Sequence, residues 1–308
     1  MGRNELVSGD EMFIDAHLHT NIYESQGETL DQALKLIGEN GILVLSNSMD
    51  LDSYEATLRI AKRSDFVLPC FGIHPFAALE YVDKLDSLTG CLNQALVFGE
   101  IGLDHFYTQD STQYLAQQKI FELFLETAEK QDKIVILHLV GAEKKGLETI
   151  QSFSLKKVIV HGIVHGYGGS WKTLRKMSDL GIHFSMKKLR KMFDLGINFS
   201  LGGSAIMDNF KPAIPINYWN AVQQIVKEVP NDLLLTETGG PCQTDLDAPP
   251  DSSIPTFIND VIAKIAEIRK TSVEELVCLV TANFLNLIEN DNRLASFVSL
   301  IRKHSIVD

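Results

Sequence analysis

One stretch near the beginning of the chain decides its fold, Phe13-Ile14-Asp15-Ala16-His17-Leu18-His19-Thr20. Apolar residues lead into two histidines that are separated by one residue. Alternate side chains of a β-strand point to the same face, so His17 and His19 would project together from the end of a buried strand. Two neutral imidazoles that converge on one point form half of a metal site, although structural histidines can give the same pattern.

The composition is that of a globular protein with a substantial core. The chain has 308 residues, of which 45% are hydrophobic and 22% charged, and this length is common for a single α/β barrel. The formal net charge of −12 argues against a broad basic surface for nucleic acids. It remains compatible with a nuclease whose metal ions supply the local positive charge.

Nothing in the sequence indicates secretion or a membrane span. The first 12 residues are polar and lack the long apolar run of a signal peptide, and apolar runs stay below 18 residues. The four cysteines are far apart, which favours neither a disulfide framework nor a zinc finger. We therefore expect a cytoplasmic protein with no membrane partner. The sequence leaves the oligomeric state open, with a monomer favoured.

Eight short apolar segments alternate with helical patterns. The predicted strands are 13–19, 41–47, 66–74, 95–104, 133–140, 157–165, either 181–186 or 196–201, and 233–238. They are apolar throughout, as expected for strands covered on both faces. This order predicts a TIM (β/α)8 barrel in one domain, with an open doubly wound sheet as the alternative. We expect an N-terminal extension over 1–12, the barrel over 13–290, and a polar tail or helix over 291–308.

Helix signals support the alternation. Thr29 and Gly41 predict the two ends of one helix, and residues 112–130 carry apolar residues at helical spacing. Ser272 and Glu275 predict a capping box at the start of another helix.

A tandem duplication interrupts the series. LRKMSDLGIHFS at 174–185 recurs as LRKMFDLGINFS at 189–200, with 10 of 12 positions identical. A barrel has room for one such strand near position seven, so one copy must be displaced. The first copy has the shorter link from the preceding strand, whereas the second runs on into a plausible strand exit at 201–204. The sequence leaves the choice open.

Chemically useful side chains collect at the predicted strand ends: His17, His19, His74, Glu100, Asp104, His138, His165 and Glu237. Histidine and carboxylate are ligands of Zn²⁺, Mn²⁺ and Mg²⁺, and a carboxylate can bridge two ions about 3.5–4 Å apart. Other candidates have plainer interpretations. His105 fits a supporting role, and three further histidines fit structural or surface positions (His161, His183 and His304). Cys242 lacks a neighbouring base, and Tyr218 and Trp219 fit a core.

A glycine-rich turn, His165-Gly166-Tyr167-Gly168-Gly169-Ser170, could receive a phosphate on backbone N–H groups, with Gly168 in the binding position. Close packing of helix on strand would explain the same glycines.

These segments together resemble the TatD-type metal-dependent hydrolases, a branch of the amidohydrolase-like barrels. The matching motifs are IDAHLH (14–19), FGIHP (71–75), GEIGLD (99–104), KIVILH (133–138), HGYGGS (165–170) and LLLTETGGP (233–241). The resemblance implies a divalent-metal phosphodiesterase, often a 3′→5′ deoxyribonuclease, with two ions. It implies His17, His19 and Glu100 as ligands of one ion, and Glu100, His138 and His165 as ligands of the second. It places His74 near a substrate phosphate.

Two positions depart from the family pattern. The family has Glu-Thr-Asp at the eighth strand, and its Asp ligates metal and accepts the proton of the attacking water. Here Gly239 occupies that catalytic position, after Glu237 and Thr238. Glu237 points to the same face but about 6.5–7 Å deeper along the strand. The family's arginine after the fifth-strand histidine is also replaced, because Leu139 follows His138.

Three functions compete at this point. The first is hydrolysis of DNA or a small phosphodiester, with activity reduced by Gly239 because a lost general base costs about 10²–10⁴-fold. The second is a catalytically impaired protein with a binding or scaffold role. The third is an amidohydrolase-type esterase, lactonase or amidase, which the missing arginine would allow.

Overall fold

A parallel eight-stranded sheet, with its strands in sequence order, forms the centre of the molecule. The computed structural model describes residues 12–24, 29–108, 110–154, 161–165, 198–202, 216–241 and 254–304. The strands are β1 (Phe13–Leu18), β2 (Ile42–Asn47), β3 (Val67–Phe71), β4 (Val97–Asp104), β5 (Val135–Val140), β6 (Gly162–Val164), β7 (Asn198–Gly202) and β8 (Leu234–Glu237).

Hydrogen bonds between the two ends of the sheet bring it close to a closed barrel. The N–H of Gly239 donates to the carbonyl of His17 at 3.0 Å, and the N–H of His19 donates to Gly240 at 2.8 Å. The predicted TIM-like barrel is confirmed, and the open doubly wound sheet is wrong.

Helices cover the outside of the barrel. They are α1 (Thr20–Glu24), α2 (Thr29–Glu39), α3 (Leu51–Ala61), α4 (Ala78–Tyr81), α5 (Thr89–Gln94), α6 (Tyr114–Gln131), α7 (Glu143–Ser154), α8 (Ile216–Glu228), α9 (Phe257–Arg269), α10 (Val273–Ile288) and α11 (Ala295–His304). Short 3₁₀ turns occupy Leu85–Leu88, Ser111–Gln113, Asn231–Leu233 and Asn292–Leu294. No single described helix has the length and apolarity of a membrane span. Taken together, α9 and α10 have both, but the pair is bent by 105°.

Local chemistry explains several helix ends. The predicted capping box of α10 is present, since Ser272 accepts from the N–H of Glu275 and Glu275 accepts from the N–H of Ser272. Gly41 follows α2 with φ of 59°, as a glycine after a helix should. Thr29 starts α2, but its hydroxyl donates to the carbonyl of Tyr23 at 3.2 Å.

The second copy of the duplication supplies β7, because β7 (Asn198–Gly202) lies at its end. Gly202 explains the choice: a Cβ there would lie 1.8 Å from the carbonyl oxygen of Glu237 on β8. The same alignment gives Lys187 after the first copy, and a lysine cannot approach β8 so closely. The first copy, 174–185, lies outside the described residues.

Candidate metal centre

Two histidines and one glutamate meet at the carboxyl side of the barrel. Nε2 of His17 lies 3.1 Å from Nε2 of His19. Oxygens of Glu100 lie 3.8 Å from the first of these nitrogens and 3.4 Å from the second. All three side chains are buried or nearly so. Their potential ligand atoms are close enough together to hold one ion.

A second pair of histidines approaches the same carboxylate from other strands. Oε2 of Glu100 lies 3.1 Å from Nδ1 of His138 and 2.7 Å from Nε2 of His165. The two histidine nitrogens are 3.1 Å apart. Glu100 therefore lies between two histidine pairs, the arrangement that a bridging carboxylate requires.

Register shifts help to aim these donors. Glu100 lies within β4 and not at its end, which corrects the expectation of a strand-end position. The pairing of β4 with β5 is irregular between Phe98 and Ile101, and that of β1 with β2 is irregular between Asp15 and Leu18. These irregular stretches contain Glu100 and His17, respectively. Such irregularities redirect side chains and are frequent beside active sites.

Hydrogen-bond partners fix which ring nitrogen carries the proton in two of the histidines. Nδ1 of His19 lies 2.9 Å from the carbonyl of Asn47, which can only accept, so Nε2 keeps its lone pair toward Glu100. Nε2 of His138 lies 3.0 Å from Oδ2 of Asp104, so in the neutral ring the proton is on Nε2 and the lone pair of Nδ1 faces Glu100 and His165. Carboxylates and carbonyls orient metal-ligating histidines in this way.

Unlike His19 and His138, His74 faces Glu100 with the ring nitrogen that carries the proton. Its Nδ1 accepts from the N–H of Phe76 at 3.2 Å, so the neutral ring carries its proton on Nε2. That Nε2 lies 3.9 Å from Oε1 of Glu100. Although His74 also groups with Glu100 and His138 by distance, its proton makes it a hydrogen-bond donor to a bound anion. A neutral histidine that donates a hydrogen bond in this way is suited to a position beside a phosphate.

Burial and mutual charge set the protonation of the cluster. Burial lowers the pKa of His17 well below its ordinary value and that of His74 to about 3. Burial opposes ionisation of Glu100, but the surrounding histidines outweigh it and hold its pKa well below the usual value. Burial also opposes protonation of His138, yet its bonds to Asp104 and Glu100 raise its pKa to about 9.

The donor set fits a divalent metal. Imidazole lone pairs 3.1 Å apart repel one another unless a proton or a cation lies between them. Nδ1 of His17 is buried and has no hydrogen-bond partner within the part of the chain that the structure describes. A cation bound among the four nitrogens would displace the proton from Nδ1 of His138, as metal binding to imidazole generally does.

Asp15 is a functional residue that the sequence reasoning missed. It is fully buried and accepts from the N–H and hydroxyl of Thr238, at 3.0 and 2.6 Å. It also accepts from the N–H of His17 at 3.2 Å. Burial raises its pKa to about 7. Asp15 thus joins β1 to the residue that follows β8. The signal in the sequence was its spacing of two residues from His17, which places both side chains on one face of the strand.

Gly239 lies two residues after β8, with φ of +66°. Among the described residues other than its chain neighbours, no atom lies within 4 Å of the position that a Cβ would take. Glu237 is buried two residues earlier, and one of its oxygens accepts from the hydroxyl of Ser200 on β7. The position of the family's Asp therefore has room for a side chain, and a neighbouring carboxylate is already engaged across the sheet.

The remaining candidates lie apart from the cluster or outside the described residues. The ring of His105 stacks on Tyr114 at 3.7 Å, His161 is half exposed near Asp132, and His304 lies on α11. Tyr218 and Trp219 lie on α8. Gly168, His183 and Cys242 fall outside the described residues.

Known proteins resemble this chain over most of its length. The family described as "TatD related DNase" matches residues 14–190 and 185–289. "Uncharacterized metal-dependent hydrolase YabD" of Bacillus subtilis is 23% identical over 278 residues, which cover 88% of this chain and 97% of that protein. "Putative deoxyribonuclease tatdn3" of Danio rerio is 23% identical, with 89% of this chain and 96% of that protein covered.

A solved structure supports the same fold. YJJV, a TatD homolog from Escherichia coli, superposes with a TM-score of 0.68 at 22% identity, over 90% of this chain and 98% of that one. The two family matches together span most of the chain and include each of the five clustered donors. The chain therefore belongs to the TatD-related DNase family of metal-dependent hydrolases.

Proposed function

We propose that this protein hydrolyses phosphodiester bonds at the ends of DNA strands, in the 3′→5′ direction, with two divalent ions. The observation that carries the proposal is the position of Glu100 between two histidine pairs, with the N–H of His74 beside it. His17, His19 and Glu100 would hold one ion, and Glu100, His138 and His165 the other. The family description and the printed name of the Danio rerio relative support DNA as the substrate.

The side chains divide the remaining work among them. Divalent ions in such a site lower the pKa of a water and stabilise charge on the phosphoryl group. His74 stays neutral and can donate from Nε2 to a phosphate oxygen. Asp104 keeps the lone pair of His138 directed inward. The metal ions would also provide the positive charge that a chain of net charge −12 needs to receive DNA.

Hydrolysis of single-stranded DNA by purified protein with Mn²⁺, Mg²⁺ or Zn²⁺ tests the proposal. We expect 3′-terminal nucleotides to be released, and His138→Ala to reduce the rate by about 10²-fold or more. His161→Ala is the matched control, because it removes a histidine far from the cluster. Absence of cleavage by wild type with each of the three metals would overturn the proposal.

Gly239 favours a second candidate, a protein that binds DNA ends and metal without turnover. Its position has no carboxylate to accept the proton of the attacking water. This candidate predicts metal-dependent binding of single-stranded DNA together with a hydrolysis rate that His138→Ala does not change.

A further inference from the structure

Two aromatic side chains are exposed beside the metal centre. Phe76 is 54% exposed and Tyr107 is 41% exposed. Among the described residues, the other large exposed apolar side chains are Leu79 and Leu115. Exposed aromatic surface has a hydration cost, so rings kept at the mouth of a site are candidates for ligand contact.

Phe76 connects directly to the donors. Its ring lies 4.4 Å from the ring of His74, and the His74 ring lies 4.4 Å from that of His138. Nε2 of His74 in turn is 3.9 Å from Glu100. A group held against Phe76 is therefore one side chain away from the phosphate position proposed beside His74.

Tyr107 forms the second side of a corner. Its ring lies 6.3 Å from that of Phe76, and the two planes meet at 88°. A flat ligand can stack on one ring while its edge contacts the other, the two geometries that aromatic pairs favour.

His74 and Asp104, which border the proposed metal ligands, also hold the backbone of both aromatic residues in place. The N–H of Phe76 donates to Nδ1 of His74. The N–H of Tyr107 donates to Oδ1 of Asp104 at 2.7 Å, while Oδ2 of the same carboxylate contacts His138. The buried ring of Phe106 supports Tyr107 edge-on at 4.8 Å. The corner is therefore positioned together with the metal ligands.

We propose that Phe76 and Tyr107 form a stacking platform for the nucleobase attached to the cleaved phosphodiester, an inference that rests on the function proposed above. A hydrogen-bond donor to phosphate that adjoins two exposed rings suits a ligand in which a flat aromatic group is joined to a phosphate. Every base has a π-face, so the platform is tolerant of sequence, and it requires an unpaired base whose face is free.

The test compares a fluorescein-labelled single-stranded thymidine oligonucleotide with the same oligonucleotide made abasic at its 3′-terminal nucleotides. We expect wild type to bind and cleave the base-bearing strand about 10-fold better, through Kd and KM rather than kcat. Phe76→Ala removes the ring but keeps the N–H that orients His74. It should weaken binding of the base-bearing strand about 10-fold and binding of the abasic strand much less. Phe76→Trp, which has an aromatic ring, should show the wild-type preference for the base-bearing strand.

Leu79→Ala is the matched control, since it shortens an exposed apolar side chain on α4 and should keep the wild-type preference. Equal binding of both strands by wild type, or equal weakening of both by Phe76→Ala, would overturn the platform. Binding is measured apart from cleavage, so absent hydrolysis with an intact base preference would reject the proposed hydrolysis and leave the platform supported.

Discussion

At the scale of single residues, Gly239 determines what the end of β8 contributes to the site. Its φ of +66° lies in the left-handed region, where Asp and Asn are the most tolerated side chains after glycine. No described residue other than its chain neighbours comes within 4 Å of its Cβ position. An aspartate can therefore be introduced at a cost of about 1–2 kcal/mol in backbone strain.

We predict that Gly239→Asp tightens metal binding and raises the rate of phosphodiester hydrolysis by about 10²-fold or more, because it supplies a ligand and a general base. Steady-state kinetics with metal analysis of the same samples measures both. Gly239→Asn carries similar backbone strain but no carboxylate, and it should give neither gain. Equal rates for the two variants would contradict this assignment of position 239.

Asp104 orients His138, one of the proposed metal ligands, through its two oxygens. Oδ1 accepts from the backbone N–H groups of Phe106 and Tyr107, and Oδ2 contacts Nε2 of His138. With Oδ1 committed to the backbone, Asp104→Asn would turn its NH₂ toward His138 and move the imidazole proton to Nδ1. The proton would then occupy the lone pair that faces Glu100.

Asp104→Asn should accordingly weaken Mn²⁺ binding by about 10–100-fold, the usual effect of losing such a partner. Isothermal titration calorimetry gives the dissociation constants. Asp110→Asn changes an exposed carboxylate that accepts from the N–H of Thr112, and it should bind Mn²⁺ as wild type does. The same affinity in both variants would show that Asp104 does not orient His138.

At the scale of elements, the contact between β7 and β8 requires a glycine. A Cβ at Gly202 would lie 1.8 Å from the Glu237 carbonyl oxygen, whereas one at Gly38 on α2 would meet no atom of the described residues within 4 Å. We predict that Gly202→Ala lowers the free energy of unfolding by more than about 1 kcal/mol, while Gly38→Ala is neutral or stabilising. Urea unfolding of both variants checks this, and an unchanged midpoint for Gly202→Ala would disprove it.

Lys133, between α6 and β5, links elements at the opposite end of β5. It is buried, its Nζ donates to the carbonyl of Leu92 at 2.6 Å, and it lies 4.7 Å from the ring centre of Phe98. Burial, together with nearby Arg293, lowers its pKa from 10.5 to about 8. Between these two values the folded protein binds fewer protons than the unfolded chain, so the free energy of unfolding rises with pH.

The stability of wild type relative to Lys133→Met should therefore increase by about 2 kcal/mol from about pH 7 to pH 10. Urea titrations at both pH values measure the difference. Comparing the two proteins cancels the contribution of the other titrating groups to the free energy of unfolding. Lys130→Met removes an exposed lysine near the end of α6 and should show little pH dependence. A relative stability that falls with pH would contradict the lowered pKa.

At the scale of the whole molecule, the alternation of apolar strands and helices was enough to predict the barrel. The histidines at predicted strand ends were enough to predict which imidazoles would meet. Long-range pairing decided the rest. Glu100 faces the histidines from within β4, beside an irregularity in its pairing with β5. Asp15 finds its partner in Thr238, 223 residues away. The choice of the second copy for β7 depends on how close β8 comes to Gly202. None of these distances is encoded in a local pattern.

The barrel brings histidines from the ends of β1, β5 and β6 to the carboxylate of Glu100 on β4. The number of Mn²⁺ ions retained per chain therefore tests the shared role of Glu100 most directly. Inductively coupled plasma mass spectrometry after equilibrium dialysis gives this number, with circular dichroism to confirm folding. We predict two ions for wild type, one for His17→Ala, one for His165→Ala, and none for Glu100→Gln. A folded Glu100→Gln variant that retains as many ions as wild type would contradict a centre built on a bridging Glu100.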